Sequence, residues 1–152
     1  MEEEADSRTT PMGMYHFAQS YALSAKCLNE KKVKATHPDA PIRFLYCHAI
    51  ELYLKSYLLL QGITINVLSS RGFGHNLEKL LSKSIEYGLT ITVEHQDHIQ
   101  LANQAIRDRY IETGYRTVLL PETLSAICSN LNQQIGRPIY NAAGIARSPS
   151  LV

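Results

Sequence analysis

The chain has 152 residues, of which 45% are apolar and 19% charged, and its formal net charge is +1. That length suits one domain around one core, and the composition excludes a disordered polymer. The near-zero charge gives no bulk electrostatic case for a nucleic-acid protein, and no apolar run is long enough for a membrane span.

Residues 1–10 read as a disordered acidic lead. Met1-Glu2-Glu3-Glu4-Ala5-Asp6 lacks the apolar stretch of a secretory signal, so a cytoplasmic location is expected. From Pro11 a helical period begins. Met14, Phe17, Ala18, Tyr21, Ala25 and Leu28 recur at steps of three and four, one face of a helix expected to run to about Lys34. Lys26, Lys31, Lys32 and Lys34 cluster at its end, where cations suit the helix dipole. Residues 35–40 form a loop, and Pro41 stands where a first-turn proline belongs. The second helix is expected over residues 41–61, with Gly62 beyond its end. It is apolar on most sides (Phe44, Leu45, Ala49, Ile50, Leu52, Leu54, Leu58), which places it centrally in a bundle.

Residues 63–73 read as a loop. The third helix carries Leu77, Leu80, Leu81 and Ile85 on one face and ends at Gly88. Leu89 to Val93 has β-branched residues but no partner strand, and reads as a connector. The fourth helix holds Ile99, Ala102, Ile106 and Tyr110 in register, and a loop follows at Glu112-Thr113-Gly114. The fifth opens at Pro121, carries Leu124, Ile127, Cys128, Leu131 and Ile135, and is expected to stop at Gly136 and Pro138. Residues 138–152 then read as a weakly ordered tail. The expectation is an all-α, up-down bundle of about five helices within residues 11–137. Cys27, Cys47 and Cys128 each sit in an apolar helical pattern and read as reduced core residues.

Polar groups on core-facing stripes are the chemically informative ones, because ionisable side chains are costly there unless paired. His48, Glu51 and Lys55 lie within about 60° of one another on the second helix. Glu51 and Lys55 have the favoured order of an i,i+4 ion pair, so the stripe is either a self-contained pair or a functional site. His75 or Asn76 is the expected N-cap of the third helix; alternatively the His75 imidazole faces the same stripe. Tyr46, Tyr53 and Tyr57 line the opposite face, which suits either a partner surface or the edge of the core. His95 and His98 have spacing for a shared metal but lack a third matching ligand, so neither metal nor cofactor is expected. Arg107 and Arg109 close the fourth helix, where a guanidinium suits the dipole or a phosphate.

The run from His48 to Leu58, followed by Gly74-His75-Asn76-Leu77-Glu78-Lys79-Leu80-Leu81, is similar to the paired helical motifs of the HEPN family. Those motifs are an A-x-E-x-x-L-K helix and then a G-H-D/N-L helix start; Arg109-Tyr110 falls where the family often has an Arg-Tyr pair. The resemblance spans residues 11–137. It implies a compact bundle that usually forms a homodimer, binding through Glu51, Lys55, His75, Asn76, Arg109 and Tyr110. Many members are metal-independent ribonucleases of toxin–antitoxin, phage-defence and RNA-processing systems, in which an Arg and a His four to six residues further on cleave RNA. Here the positions that should hold that His carry Glu112, Thr113, Gly114, Tyr115 and Arg116. Arg43 and His48 have the spacing, but on the second helix, where a five-residue step turns the side chains about 140° apart.

Three readings follow. The first is a HEPN-like module that binds RNA, a nucleotide or a partner protein encoded nearby, without the usual ribonuclease motif. The second is a ribonuclease with a non-standard site made by His48, Glu51, Lys55, His75 and Arg109. The third is an assembly protein working through its tyrosine face.

Overall fold

The computed structural model describes residues 9–107 and 119–146. Among these, every regular element is a helix: α1 (Pro11–Glu30), α2 (Asp39–Leu60), α3 (Ile65–Leu68), α4 (Leu77–Glu86), α5 (Val93–Arg107) and α6 (Pro121–Ala142). The bundle is organised around α2. From Tyr46 to Leu58 it is buried on nearly every side, against α1, α4 and α6. Its apolar circumference is the cause, since such a helix lowers its free energy only with neighbours all round. The ring pairs Tyr15–Tyr53 and Tyr21–His48 step forward along α1 and backward along α2, so the two are antiparallel.

Several boundaries differ from expectation, each for a local reason. α1 stops at Glu30 rather than near Lys34. Beyond Leu28 nothing remains for the helix to bury, and Lys32 turns away to pair with Asp39 at 2.8 Å. α2 begins at Asp39, two residues before Pro41. The first-turn N–H groups of a helix have no internal acceptor, so a proline there breaks no bond, and Asp39 complements the positive helix end. α3 lies inside the expected loop; Thr64 caps it and Leu68 is driven fully into the core.

α6 continues through both expected breakers, Gly136 and Pro138, to Ala142. Ile139 extends the buried stripe one turn beyond Ile135, and Tyr140 packs edge-on against Tyr15. This packing offsets the roughly 3 kcal/mol that an interior proline costs. Residues 138–142, expected in the tail, are therefore helical. Gly144, with φ of 73°, turns the chain, and Ile145 N–H then donates back to the Tyr140 carbonyl. The connector expected over residues 89–93 carries no regular structure through 92, with Leu89 and Ile91 as buried plugs and Val93 opening α5.

Of the two readings of the tyrosine face the core one holds, and one cysteine reading is corrected. Tyr46, Tyr53 and Tyr57 are buried, so the tyrosine face is interior and offers no working surface. It meets α6 through Tyr46 and Tyr53 and the end of α4 through Tyr57, whose hydroxyl donates to the Tyr87 carbonyl at 2.9 Å. Cys47 and Cys128 are core thiols as expected, but Cys27 is exposed; all three are free. Burial pushes the Cys47 thiol up to about 12, against the opposing influence of Arg43 one turn before it.

One amide joins three helices. Asn132 of α6 is buried, and its Oδ1 accepts from Tyr15 at 2.6 Å, Gln19 at 3.0 Å and Tyr53 at 3.1 Å. Burial raises both tyrosines well above their ordinary pKa, so each hydroxyl keeps its proton to donate. Asn132→Ala strands the buried Tyr53 hydroxyl, leaves Tyr15 only the Asn132 backbone carbonyl at 3.2 Å, and is expected to cost about 2–4 kcal/mol in urea unfolding. A loss below about 1 kcal/mol would show the network to be incidental.

Candidate functional site

Glu51 is the centre of the polar cluster. It is 4% exposed, a position in which a lone carboxylate is strongly disfavoured. Three side chains surround it. His75 Nδ1 lies 2.7 Å from Oε1, and His48 Nδ1 and Lys55 Nζ lie 3.6 and 3.7 Å from Oε2. A carboxylate only accepts, so the short contact assigns the Nδ1 proton to His75 and leaves its Nε2 on the far edge of the ring. Glu51 and Lys55 thus pair within α2, and the His75 imidazole faces the same carboxylate from another element, the alternative to its capping α4.

His75 is placed by a chain of backbone constraints. Residues 70–74 form a turn closed by the Gly74 N–H to the Ser70 carbonyl at 2.8 Å. Gly74 has φ of 41°, a conformation that favours glycine. Asn76, not His75, caps α4, accepting from Lys79 N–H at 3.2 Å, so its side-chain oxygen is committed to the helix. The next N–H, that of Leu77, donates to Asn103 Oδ1 of α5 at 2.9 Å. Asn103 was missed in the sequence. Its signal was an amide four residues after Ile99, within a stripe of core residues, where a polar group needs a partner.

The open side of the cluster is aromatic. The His48 ring meets Tyr21 edge-on, with centroids 4.5 Å apart, and lies parallel to Phe44 at 6.3 Å. Phe44 is 52% exposed, and Phe17, one turn before Tyr21 on α1, is 65% exposed. The His48 side chain is 29% accessible and that of His75 79%. Both imidazoles therefore reach solvent, whereas Glu51 and Lys55 do not. Burial lowers the pKa of His48, and the neighbouring His75 and Lys55 add to this against the pull of Glu51.

Arg109 and Tyr110 lie outside the described residues. Arg43 is half-buried on α2, where its charge acts on Cys47. His95 and His98 both turn Nδ1 out of solvent, and among the described residues no group of three or more ligating side chains is placed to hold an ion. A concavity of about 420 Å³ runs along α4 past Phe73, Asn76, Lys79 and Lys83, on a charged surface that does not include the Glu51 cluster. No helix among the described residues is long and apolar enough to cross a membrane.

No protein-family model, curated protein or solved structure matches the chain.

Two measurements test this geometry. Glu51→Ala leaves Lys55 buried without its counter-ion and is expected to destabilise the fold by about 3–5 kcal/mol, whereas the double change Glu51→Leu with Lys55→Met recovers most of that loss. Equal losses in both variants would contradict the assigned pairing. In an NMR titration, His48 is expected to take its proton below the ordinary imidazole value of about 6.5. Its folded-state pKa is depressed, so its contribution is complete above that value and declines as pH falls through it, because the unfolded chain binds the proton more readily. A His48 midpoint above 6.5 would reverse the sign.

Proposed function

We propose that the chain is a HEPN-like helical module that binds RNA or a nucleotide on the face bordered by Phe44, His48 and His75, without the usual ribonuclease motif. One observation carries the proposal. Two solvent-reaching imidazoles face a single carboxylate, His75 hydrogen-bonded to it, beside exposed aromatic rings. Exposed rings offer stacking area to bases irrespective of sequence, and imidazole N–H groups offer donors to phosphate. The resemblance of residues 48–58 and 74–81 to the HEPN motifs supports the same reading. A cytoplasmic location and a homodimer belong to this proposal as well. A partner protein is the competing occupant, but the buried tyrosines leave that alternative without the surface first considered for it.

A ribonuclease remains the second reading, favoured by the imidazole pair itself. Two histidines beside one phosphodiester can divide the work of general base and general acid: one takes the 2′-OH proton as that oxygen attacks phosphorus, and the other protonates the departing 5′-oxygen. Glu51 and Lys55 are too buried to touch substrate and would serve only to position the imidazoles.

One experiment separates these readings. A labelled single-stranded RNA oligonucleotide is titrated with the protein at low salt in the presence of a chelator, and its length is checked afterwards. Binding without cleavage is expected, weakened about tenfold by Phe44→Ala through lost stacking. Absence of binding would sink the RNA proposal, whereas 2′,3′-cyclic phosphate products that vanish in His48→Ala and His75→Ala would establish the ribonuclease.

A further inference from the structure

Resting on that reading, we infer that ligand binding on this face is proton-gated: His48 and His75 convert the neutral Glu51–Lys55 centre into a cationic one, and phosphate groups are held tightly only when both imidazoles are doubly protonated. The fixed charges come first. Glu51 and Lys55 of α2 form one anion–cation pair and cancel. α1 contributes the Tyr21 ring, and the turn before α4 contributes His75. The charges acting on His48 are those of Glu51, His75 and Lys55. Protonation of the two imidazoles therefore sets the sign of the centre.

Geometry decides where the second proton goes. Each Nδ1 is aimed at the same carboxylate, so each Nε2 points away from Glu51. In neutral His75, whose Nδ1 proton is held by Glu51, Nε2 presents a lone pair, which repels phosphate oxygen. A protonated Nε2 presents a charged N–H, the stronger kind of donor. The change from repulsion to attraction occurs at the atoms the ligand meets, and the whole-chain charge of +1 provides little background attraction to mask it. By linkage, a ligand that prefers the protonated state must draw protons in as it binds.

The test uses the full chain, the labelled RNA oligonucleotide and constant low ionic strength, with affinities measured from pH 8 to pH 5.5. Wild-type binding is expected to tighten by about tenfold or more towards pH 5.5, across the imidazole range. Calorimetry in buffers of different ionisation enthalpy is expected to record net proton uptake. His48→Gln with His75→Gln keeps a neutral donor near Glu51 and removes the titration, so its affinity is expected to be nearly flat with pH. His75→Gln alone, at an exposed side chain, guards against a folding defect in the pair and is expected to lose part of the pH response. Competition by inorganic phosphate and by a nucleoside monophosphate separates phosphate recognition from recognition of the strand. Equal affinity at both ends of the pH range, or a response that persists in the double variant through His16, His37, His95 or His98, overturns the gate while leaving RNA binding intact. Failure to bind at any pH overturns the underlying function too.

Discussion

Asn132 Oδ1 takes donors from α1 and α2 while its own backbone belongs to α6. The bundle rests on this contact because hydrophobic burial alone does not select a register. Leucine and isoleucine stripes tolerate a sliding helix, since apolar contact has no direction. Buried hydroxyls do not, because each loses its partner when the helix slips. With Tyr15 and Tyr53 fixed to one oxygen, the axial positions of α1 and α6 on α2 are set together. The lateral position of His48 beside Tyr21 follows from the same registration of α1.

The Glu51 cluster applies similar physics to a different end. Where Asn132 satisfies neutral donors inside the core, Glu51 gathers cationic or protonatable groups at its edge. Burial makes the carboxylate demanding, and the lysine on its own helix meets only part of that demand. The remainder is met by imidazoles from α2 and from the turn before α4, a polar contact added to the apolar packing of α4 on the central helix. The same arrangement provides chemistry at the surface: the groups that neutralise the buried charge are themselves partly in water.

Much of this was legible in the sequence, and the departures have physical causes. The long amphipathic or all-apolar patterns of α1, α2, α4 and α6 announced helices because their period is carried by many residues. The end of α6 was misjudged because Gly136 and Pro138 are strong local signals, and only Ile139 and Tyr140, packed against distant residues, override them. The tyrosines of α2 were ambiguous because an amphipathic ring looks the same at a surface or beside a buried acceptor; the acceptors, Asn132 and the Tyr87 carbonyl, are remote in sequence. The i,i+4 spacing of Glu51 and Lys55 was visible, and so was the chance that His75 joined them. Asn103 was not, since its partner is a backbone N–H 26 positions away.

That last bond makes His75 part of a mechanical train. The imidazole is two residues from an amide that Asn103 grips, so its height above α2 is inherited from α5 rather than set by α4 alone. A small rotation or axial shift of α5 would pull on the first turn of α4 and change how far the ring reaches towards Glu51.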